Sequence, residues 1–296
     1  MKRNLFPLLY GLLLAAFTLF LALDTFVITR VYDDTATAPS TDPSGIQPTA
    51  EPAVITDRSY TDANIRITIT EHREHDTTLY VADVSLTSPE LLRTAMAQGA
   101  YGRNVNQTTS EMASQVGAIL AVNGDFYGSR ERGYVARNGV LYRSSASAGT
   151  EFLAIMADGS FLIAEESSTS AQSLMDAGAV HLFSFGPALV LDGGIAVSPQ
   201  DEVGKAMADN PRTAIGVYEP GHYVLIVSDG RTRESEGLTL YELAEFMQGI
   251  GVTSAYNLDG GGSSTIVFMG EVINNPTTNG RKITERSVSD IVYIGY

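Results

Sequence analysis

The sequence predicts an α+β protein: a single domain with a mixed β-sheet core and a few covering helices, preceded by one N-terminal transmembrane helix and a disordered linker. Three observations predict it. Short runs of strand-like alternation outnumber helical patterns beyond residue 60. An uncharged, mostly apolar run from Leu5 to Leu23 follows the basic Lys2 and Arg3, and such a run is about long enough to cross a bilayer. Between the two, Pro39, Pro43, Pro48 and Pro52 lie among Thr, Ser, Ala and Asp, a composition that cannot bury enough surface to order itself.

The chain divides accordingly into 1–30, a cytoplasmic stub and transmembrane signal anchor, 31–59, a flexible linker, and 60–296, the folded domain. The apolar run exceeds the usual core of a cleavable signal peptide, which favours an uncleaved anchor. Lys2 and Arg3 then stay in the cytoplasm, leaving the domain outside the cell, on a single-pass cell-membrane protein. A formal net charge of −15 argues against nucleic acid as a partner. With no cysteine, disulfides and thiolate metal sites are excluded.

Each element has its own signal. Ile65, Ile67 and Ile69 alternate with polar residues as a half-buried strand requires, and Thr78 to Leu86 reads as its partner. Ser88-Pro89 predicts a short helix running through Met96, with a cap and a proline at the first helical position. Thr108 to Glu111 is a capping box opening a helix toward Gly117, and a strand from Ala118 to Val122 follows. Asn138-Gly139 turns a hairpin between Tyr134 and Tyr142, and Asp158-Gly159 turns another between Phe152 and Ala164. A third joins Ala214–Tyr218 to Tyr223–Val227. Thr239 to Glu242 is a second capping box, with Leu243, Phe246, Met247 and Ile250 at helical spacing. Ile291 to Ile294 closes the chain as a strand.

Four clusters carry the candidate chemistry. Asn123-Gly124-Asp125-Phe126-Tyr127 places an amide, a carboxylate and two aromatic rings at a strand end. Asn210-Pro211-Arg212 opens a strand with a guanidinium suited to phosphate or carboxylate. Asp229-Gly230-Arg231 ends one. Asp259-Gly260-Gly261-Gly262-Ser263-Ser264 sets bare backbone beside a carboxylate and two hydroxyls, a place where a ligand can meet amide N–H groups. Each also has a plain structural reading as a turn or a solvated strand end. The glycine loop matches neither a P-loop nor a dinucleotide fingerprint.

In this order, with Leu240-Tyr241-Glu242-Leu243 before the glycine loop and Glu285-Arg286-Ser287-Val288 after it, the clusters resemble the phosphodiester glycosidase family over roughly Ile65 to Tyr296. One departure is the Asp125 carboxylate, where the family often has glycine. The resemblance implies a hydrolase that cleaves a sugar 1-phosphodiester, with an N-acetylglucosamine-type sugar, in envelope or exopolysaccharide material. On that reading Asp259 supplies the catalytic carboxylate, with Asp229 and Asp125 as further catalytic candidates. Arg212 and Arg286 hold phosphate, the amides of Gly260, Gly261, Gly262 and Ser263 beside Ser264 cradle the anion, Asn123 contacts the sugar, and Phe126 or Tyr127 stacks on it. The substrate partner is then a sugar-phosphate polymer or glycoconjugate, and the membrane is engaged through the N-terminal helix. No cofactor is required, although a calcium or magnesium site built from oxygens stays open. A non-catalytic polysaccharide-binding module and a metal-dependent phosphodiesterase are the competing classes.

Overall fold

The computed structural model describes residues 5–33, 46–48, 52–199 and 209–296. Helix α1, Leu5–Phe26, is apolar all round and exposed along its length. It is long and apolar enough to cross a membrane, with a mean hydropathy of 2.2 over Phe6–Phe26. Of the expected linker, residues 34–45 and 49–51 lie outside the described residues. Within its bounds, Arg30–Asp33 pairs with Tyr101–Arg103, and Val54–Thr56 and Ser59–Thr61 join the largest sheet, so strands begin ahead of residue 60.

Three sheets build the domain. The nine-stranded sheet runs Gly194–Ile195, Ala188–Leu191, Ser254–Asn257, Thr213–Glu219, His222–Ser228, Thr77–Leu86, Ile65–Glu74, Ser59–Thr61, Val54–Thr56. One five-stranded sheet runs Val140–Arg143, Val135–Arg137, Ala179–Phe183, Glu151–Met156, Phe161–Glu165. The other runs Glu271–Val272, Ile266–Phe268, Leu120–Asn123, Asp290–Ile294, Leu92–Met96. The α+β class holds. The strand pairings among the described residues are antiparallel, which makes the sheets more uniform than a mixed core.

One apolar core is shared by the inner faces of all three: Ile67, Leu120, Leu153, Phe183, Ile215, Leu225, Ile266 and Val292 are all buried in it. Each outer face is covered by a helix. Helix α2 (Thr109–Val116) puts Met112 and Ala113 against Ala121 and Ile291, α3 (Ala171–Asp176) puts Leu174 against Phe152 and Leu182, and α4 (Leu240–Gly249) puts Leu243 and Met247 against Ala214 and Val224. Both capping boxes form, on Thr108 with Glu111 and on Thr239 with Glu242. The Asn138-Gly139 turn has both residues at positive φ, +49° and +80°, as a tight hairpin of this hand needs.

One element differs from expectation. Ser88-Pro89 starts only a single 3₁₀ turn, Pro89–Leu91, and Leu92–Met96 is a strand paired with Asp290–Ile294. The cap is genuine, since Ser88 accepts a bond from the Glu90 amide. It is outweighed by the alternation Leu92, Thr94, Met96, whose side chains are buried at period two.

His181, in the strand Ala179–Phe183, is buried as a neutral ring. Its Nδ1 accepts from the Asn138 amide at 3.2 Å, and Nε2 donates to the Leu92 carbonyl at 3.3 Å. Burial, with Arg137 nearby, pushes it down to about 3. A histidine that ionises more readily unfolded than folded stabilises the fold above the unfolded value of about 6.5. That contribution falls by about 1.4 kcal/mol per pH unit between 6.5 and 3. Urea midpoints measured from pH 7 to pH 4 should therefore fall more steeply for the natural chain than for His181→Gln; parallel curves would contradict the assignment.

Candidate active site

Sheet ends converge where the strand Leu120–Asn123 stops and Ser254–Asn257 runs into the glycine loop. Asn123 is fully buried. Its Oδ1 accepts from Thr213 Oγ1 (2.8 Å) and the Thr265 amide (3.2 Å), while Nδ2 donates to the Asp259 carbonyl (2.6 Å). The Asp259 amide in turn donates to the Gly124 carbonyl (3.2 Å). Asn123 is thus a brace that fixes Asp259 from behind and is not placed to contact a sugar. The triple glycine has a packing reason at each position. A Cβ on Gly260, Gly261 or Gly262 would meet the Pro211 carbonyl at 2.9 Å, Arg231 Nη2 at 2.8 Å or Thr278 Oγ1 at 2.5 Å. Gly261 also stands at φ +62°.

The loop presents the Asp259 carboxylate, which is buried. Oδ2 accepts from Ser263 Oγ at 2.6 Å and from Arg286 Nη2 at 3.0 Å, and Arg286 Nε also donates to Ser263 Oγ at 2.9 Å. Burial raises the Asp259 pKa above the ordinary carboxylate value, against the opposing pull of Arg286, Ser263 and Arg130. Asp259 lines a cleft of about 710 Å³ that also exposes Arg130, Arg212, Arg231, Arg286, Glu151, Glu165, Phe185 and Asn257. Arg231 is fixed by donating to Asn210 Oδ1 (2.8 Å) and the Thr278 carbonyl (2.6 Å). Its pKa is lowered by burial and by Arg286, the signature of two guanidinium groups close together. Arg130 lies over the Phe185 ring, 4.8 Å from its centre. Four arginines share the cleft lining with Asp259, and Arg286 pairs with it directly, a lining suited to an anion.

The other sequence-predicted residues lie elsewhere or play other parts. Arg212 and Arg286 line the cleft. Asp229 does not; it accepts from the Asn275 amide (2.8 Å) and Asn275 Nδ2 (2.9 Å) and pins the 274–275 turn. Asp125 is buried behind the site, accepting from the amides of Tyr127 and Ser184, each at 3.1 Å. Tyr127 is buried and stacked on Tyr101, and Phe126 is part-exposed but outside the cleft lining. Of the amides expected to cradle an anion, those of Gly261 and Ser263 already donate to the carbonyls of Pro211 and Gly260. Among the described residues, no group of three or more His, Cys, Asp or Glu is placed to hold a metal ion.

Sequence reasoning missed Arg130, Arg231, Asn257, Arg137 and Asp290. Arg231 lies within the Asp229-Gly230-Arg231 cluster, where the aspartate is the more evident catalytic candidate. Asn257 is buried, with Nδ2 donating to the Gly186 carbonyl (2.8 Å) and Oδ1 without a hydrogen-bond partner. Arg137 reads as an ordinary hairpin residue, yet it is wholly buried, its Nε donating to Asp290 Oδ2 at 2.7 Å. Its Nη2 lies 3.0 Å from Asp125 Oδ1, an ion pair without hydrogen-bond geometry, and its guanidinium lies 4.1 Å from the Phe183 ring centre. Burial pushes Asp290 up to about 7, against Arg137 and with the help of Asp125 and Asp259. The only sequence signal for Asp290 was a charged residue opening an apolar strand.

Fold and site define an α+β domain with a buried carboxylate at the wall of an arginine-lined cleft. The phosphodiester glycosidase family model matches residues 116–295. That is more than half of the chain, which belongs to this family. The SPbeta prophage-derived uncharacterized protein YomE of Bacillus subtilis is 30% identical over 66% of the chain and 31% of its own length. Human N-acetylglucosamine-1-phosphodiester alpha-N-acetylglucosaminidase is 47% identical over 22% of the chain and 13% of its own length. The chain thus spans less than a third of these relatives. The zebrafish catalytic domain of that enzyme, auto-inhibited by its pro-peptide, shares the fold with a TM-score of 0.61 at 23% identity, covering 78% of this chain and 83% of that one. A hypothetical protein from Synechocystis does so with a TM-score of 0.56 at 15% identity, covering 78% and 62%.

The Arg137 network generates a direct test. Arg137→Met leaves Asp125 and Asp290 buried together without their counter-charge, and should lower unfolding free energy by about 3–5 kcal/mol. Urea denaturation checks it; a loss below about 1 kcal/mol would show the pair to be solvated.

Proposed function

We propose that the domain hydrolyses a sugar 1-phosphodiester on the outer side of a membrane, cutting between the anomeric carbon and the phosphate oxygen. One observation carries the reading: the buried Asp259 carboxylate, paired with Arg286, shares a single cleft with Arg130, Arg212 and Arg231. Family membership and the activity named for the animal relatives support the same substrate class, with an N-acetylglucosamine-type sugar.

Either Asp259 takes the proton of a water whose oxygen bonds to the anomeric carbon as the bond to the phosphate oxygen breaks, or Asp259 itself displaces the phosphate and water then hydrolyses the glycosyl–Asp259 ester to free the sugar. The leaving group is a phosphate monoester, whose negative charge Arg231, Arg286 and Arg212 stabilise as it develops. Such a leaving group departs without the proton an alcohol would need, so one carboxylate in the anion pocket is sufficient for the chemistry. Ser263 and Arg286 hold Asp259 in one orientation. The buried Asn257 amide and Phe185, with Glu151 and Glu165, line the part of the cleft left for the sugar. Helix α1 anchors the protein, with the domain outside and envelope or exopolysaccharide phosphodiesters as its substrates. Ca²⁺ and Mg²⁺ play no part in this scheme.

Full-length protein incubated with UDP-linked N-acetylglucosamine in H₂¹⁸O should release free sugar carrying ¹⁸O and UDP without it. Asp259→Asn should lower the rate by about 10²–10⁴-fold while remaining folded. Binding without turnover would make the domain a binding module, and ¹⁸O in the phosphate would make it a phosphodiesterase. A second measurement isolates the anion clamp. Arg231→Ala should raise KM for the diester about 10- to 100-fold, the loss of one charged hydrogen bond, and leave a neutral aryl glycoside unaffected. Equal effects on both would remove Arg231 from the phosphate site.

A further inference from the structure

We propose that the N-terminal helix and the domain are clamped together, so that the cleft works at the bilayer surface on a lipid-linked sugar phosphodiester. The inference rests on the hydrolase and membrane readings above and adds the physical source of the substrate. A free linker over 31–59 would let the domain wander by about 30 Å. Only residues 27–29 separate the end of α1 from the strand Arg30–Asp33, a span of at most about 10 Å.

That strand is paired in the domain, Arg30 with Arg103, Val31 with Gly102 and Asp33 with Tyr101. Asn104 reaches back to the helix itself, Nδ2 donating to the carbonyls of Thr25 (3.3 Å) and Ile28 (3.0 Å). Carbonyls at a helix C-terminus lack partners within the helix, so this contact caps α1 with a side chain of the domain. Thr29 Oγ1 returns a bond to the Asn104 carbonyl at 3.3 Å. Gly102 lets the clamp strand approach, because a Cβ there would overlap the Arg30 carbonyl oxygen as well as Val105 Cγ2 of the domain core.

The clamp lies close to the cleft in the chain of contacts. Arg103 pairs with Glu131 at 3.3 Å, and the adjacent Arg130 lines the cleft. The apolar surface of α1 is left uncovered by the other described residues, with none of its most apolar window buried, which makes lipid its solvent. A chain of net charge −15 is repelled by anionic headgroups, so surface charge would not keep the domain at the bilayer. The helix and its clamp do. A phosphodiester carried on a lipid tail is then presented within reach, whereas a polymer distant from the membrane is not.

The test uses the full chain in phosphatidylcholine vesicles and two substrates with the same sugar 1-phosphate: one esterified to a long polyprenyl-type chain in the same vesicles, one to a short water-soluble alcohol. The natural chain should show kcat/KM at least tenfold higher for the lipid-linked substrate. Gly102→Ile should abolish that preference and keep the rate on the soluble one. The chain has no cysteine, so Arg30→Cys with Arg103→Cys reports the clamp directly. Paired positions lie within disulfide reach, and the cross-link should form in vesicles and preserve the preference. Absence of the cross-link, or equal rates of the natural chain on both substrates, overturns the proposal. Turnover of neither substrate overturns the hydrolase reading instead, while the cross-link still decides whether the clamp exists.

Discussion

The architecture depends on a guanidinium with no access to water. Arg137 sits on the hairpin arm Val135–Arg137 of one five-stranded sheet, and its carboxylate partner Asp290 opens a strand of the other. An unpaired charge at that depth would cost several kcal/mol, and a mispaired one would leave two carboxylates together. The arrangement therefore admits one relative placement of the two sheets. Apolar packing alone, which is non-directional, would not specify it.

The same network connects to the Asp259 carboxylate through backbone. Gly124 donates to the Asp290 carbonyl at 2.9 Å and accepts from the Asp259 amide at 3.2 Å, while Asn123 holds the Asp259 carbonyl. Asp125, Asp290 and Asp259 consequently form a group of buried acids whose mutual repulsion is restrained by Arg137 and Arg286. The charges of Asp125 and Asp259 raise the cost of ionising Asp290. Asp259 borders the cleft and is paired with the more exposed arginine, so it is the member best placed to exchange protons with a ligand or with water.

Much of the fold was legible because its signals are local. Alternation at Ile65, Ile67 and Ile69, the Asn138-Gly139 turn and the two capping boxes each need only a few neighbouring residues to express their preference. The region from Ser88 to Met96 failed for the opposite reason: its conformation is set by pairing with Asp290–Ile294, nearly two hundred positions away in the chain. The site shows the same division. Motif spacing located the glycine loop and the arginines Arg212 and Arg286, but could not assign roles within a motif. In Asp229-Gly230-Arg231 the aspartate faces a turn and the arginine faces the cleft, a difference set by where the 274–275 segment packs. Asn123 and Asp125 likewise read as ligand contacts, because nothing in a strand-end motif distinguishes a group pointing into a cleft from one bracing it from behind.

Electrostatics gives the cleft a further constraint. Arg130, Arg212, Arg231 and Arg286 outnumber Glu151, Glu165 and Asp259 within it, although the chain as a whole carries a net charge of −15. At physiological ionic strength fields decay over about 8 Å, so an approaching anion meets the repulsive exterior before it senses the arginines. Long-range steering consequently works against association, and attraction begins only when the phosphate is already at the mouth of the cleft. A protein built this way gains more from having its substrate confined nearby than from a stronger field. Confinement to a surface supplies that advantage without any change in the cleft, since its local arginines need only discriminate phosphate from neutral sugars once the two have met.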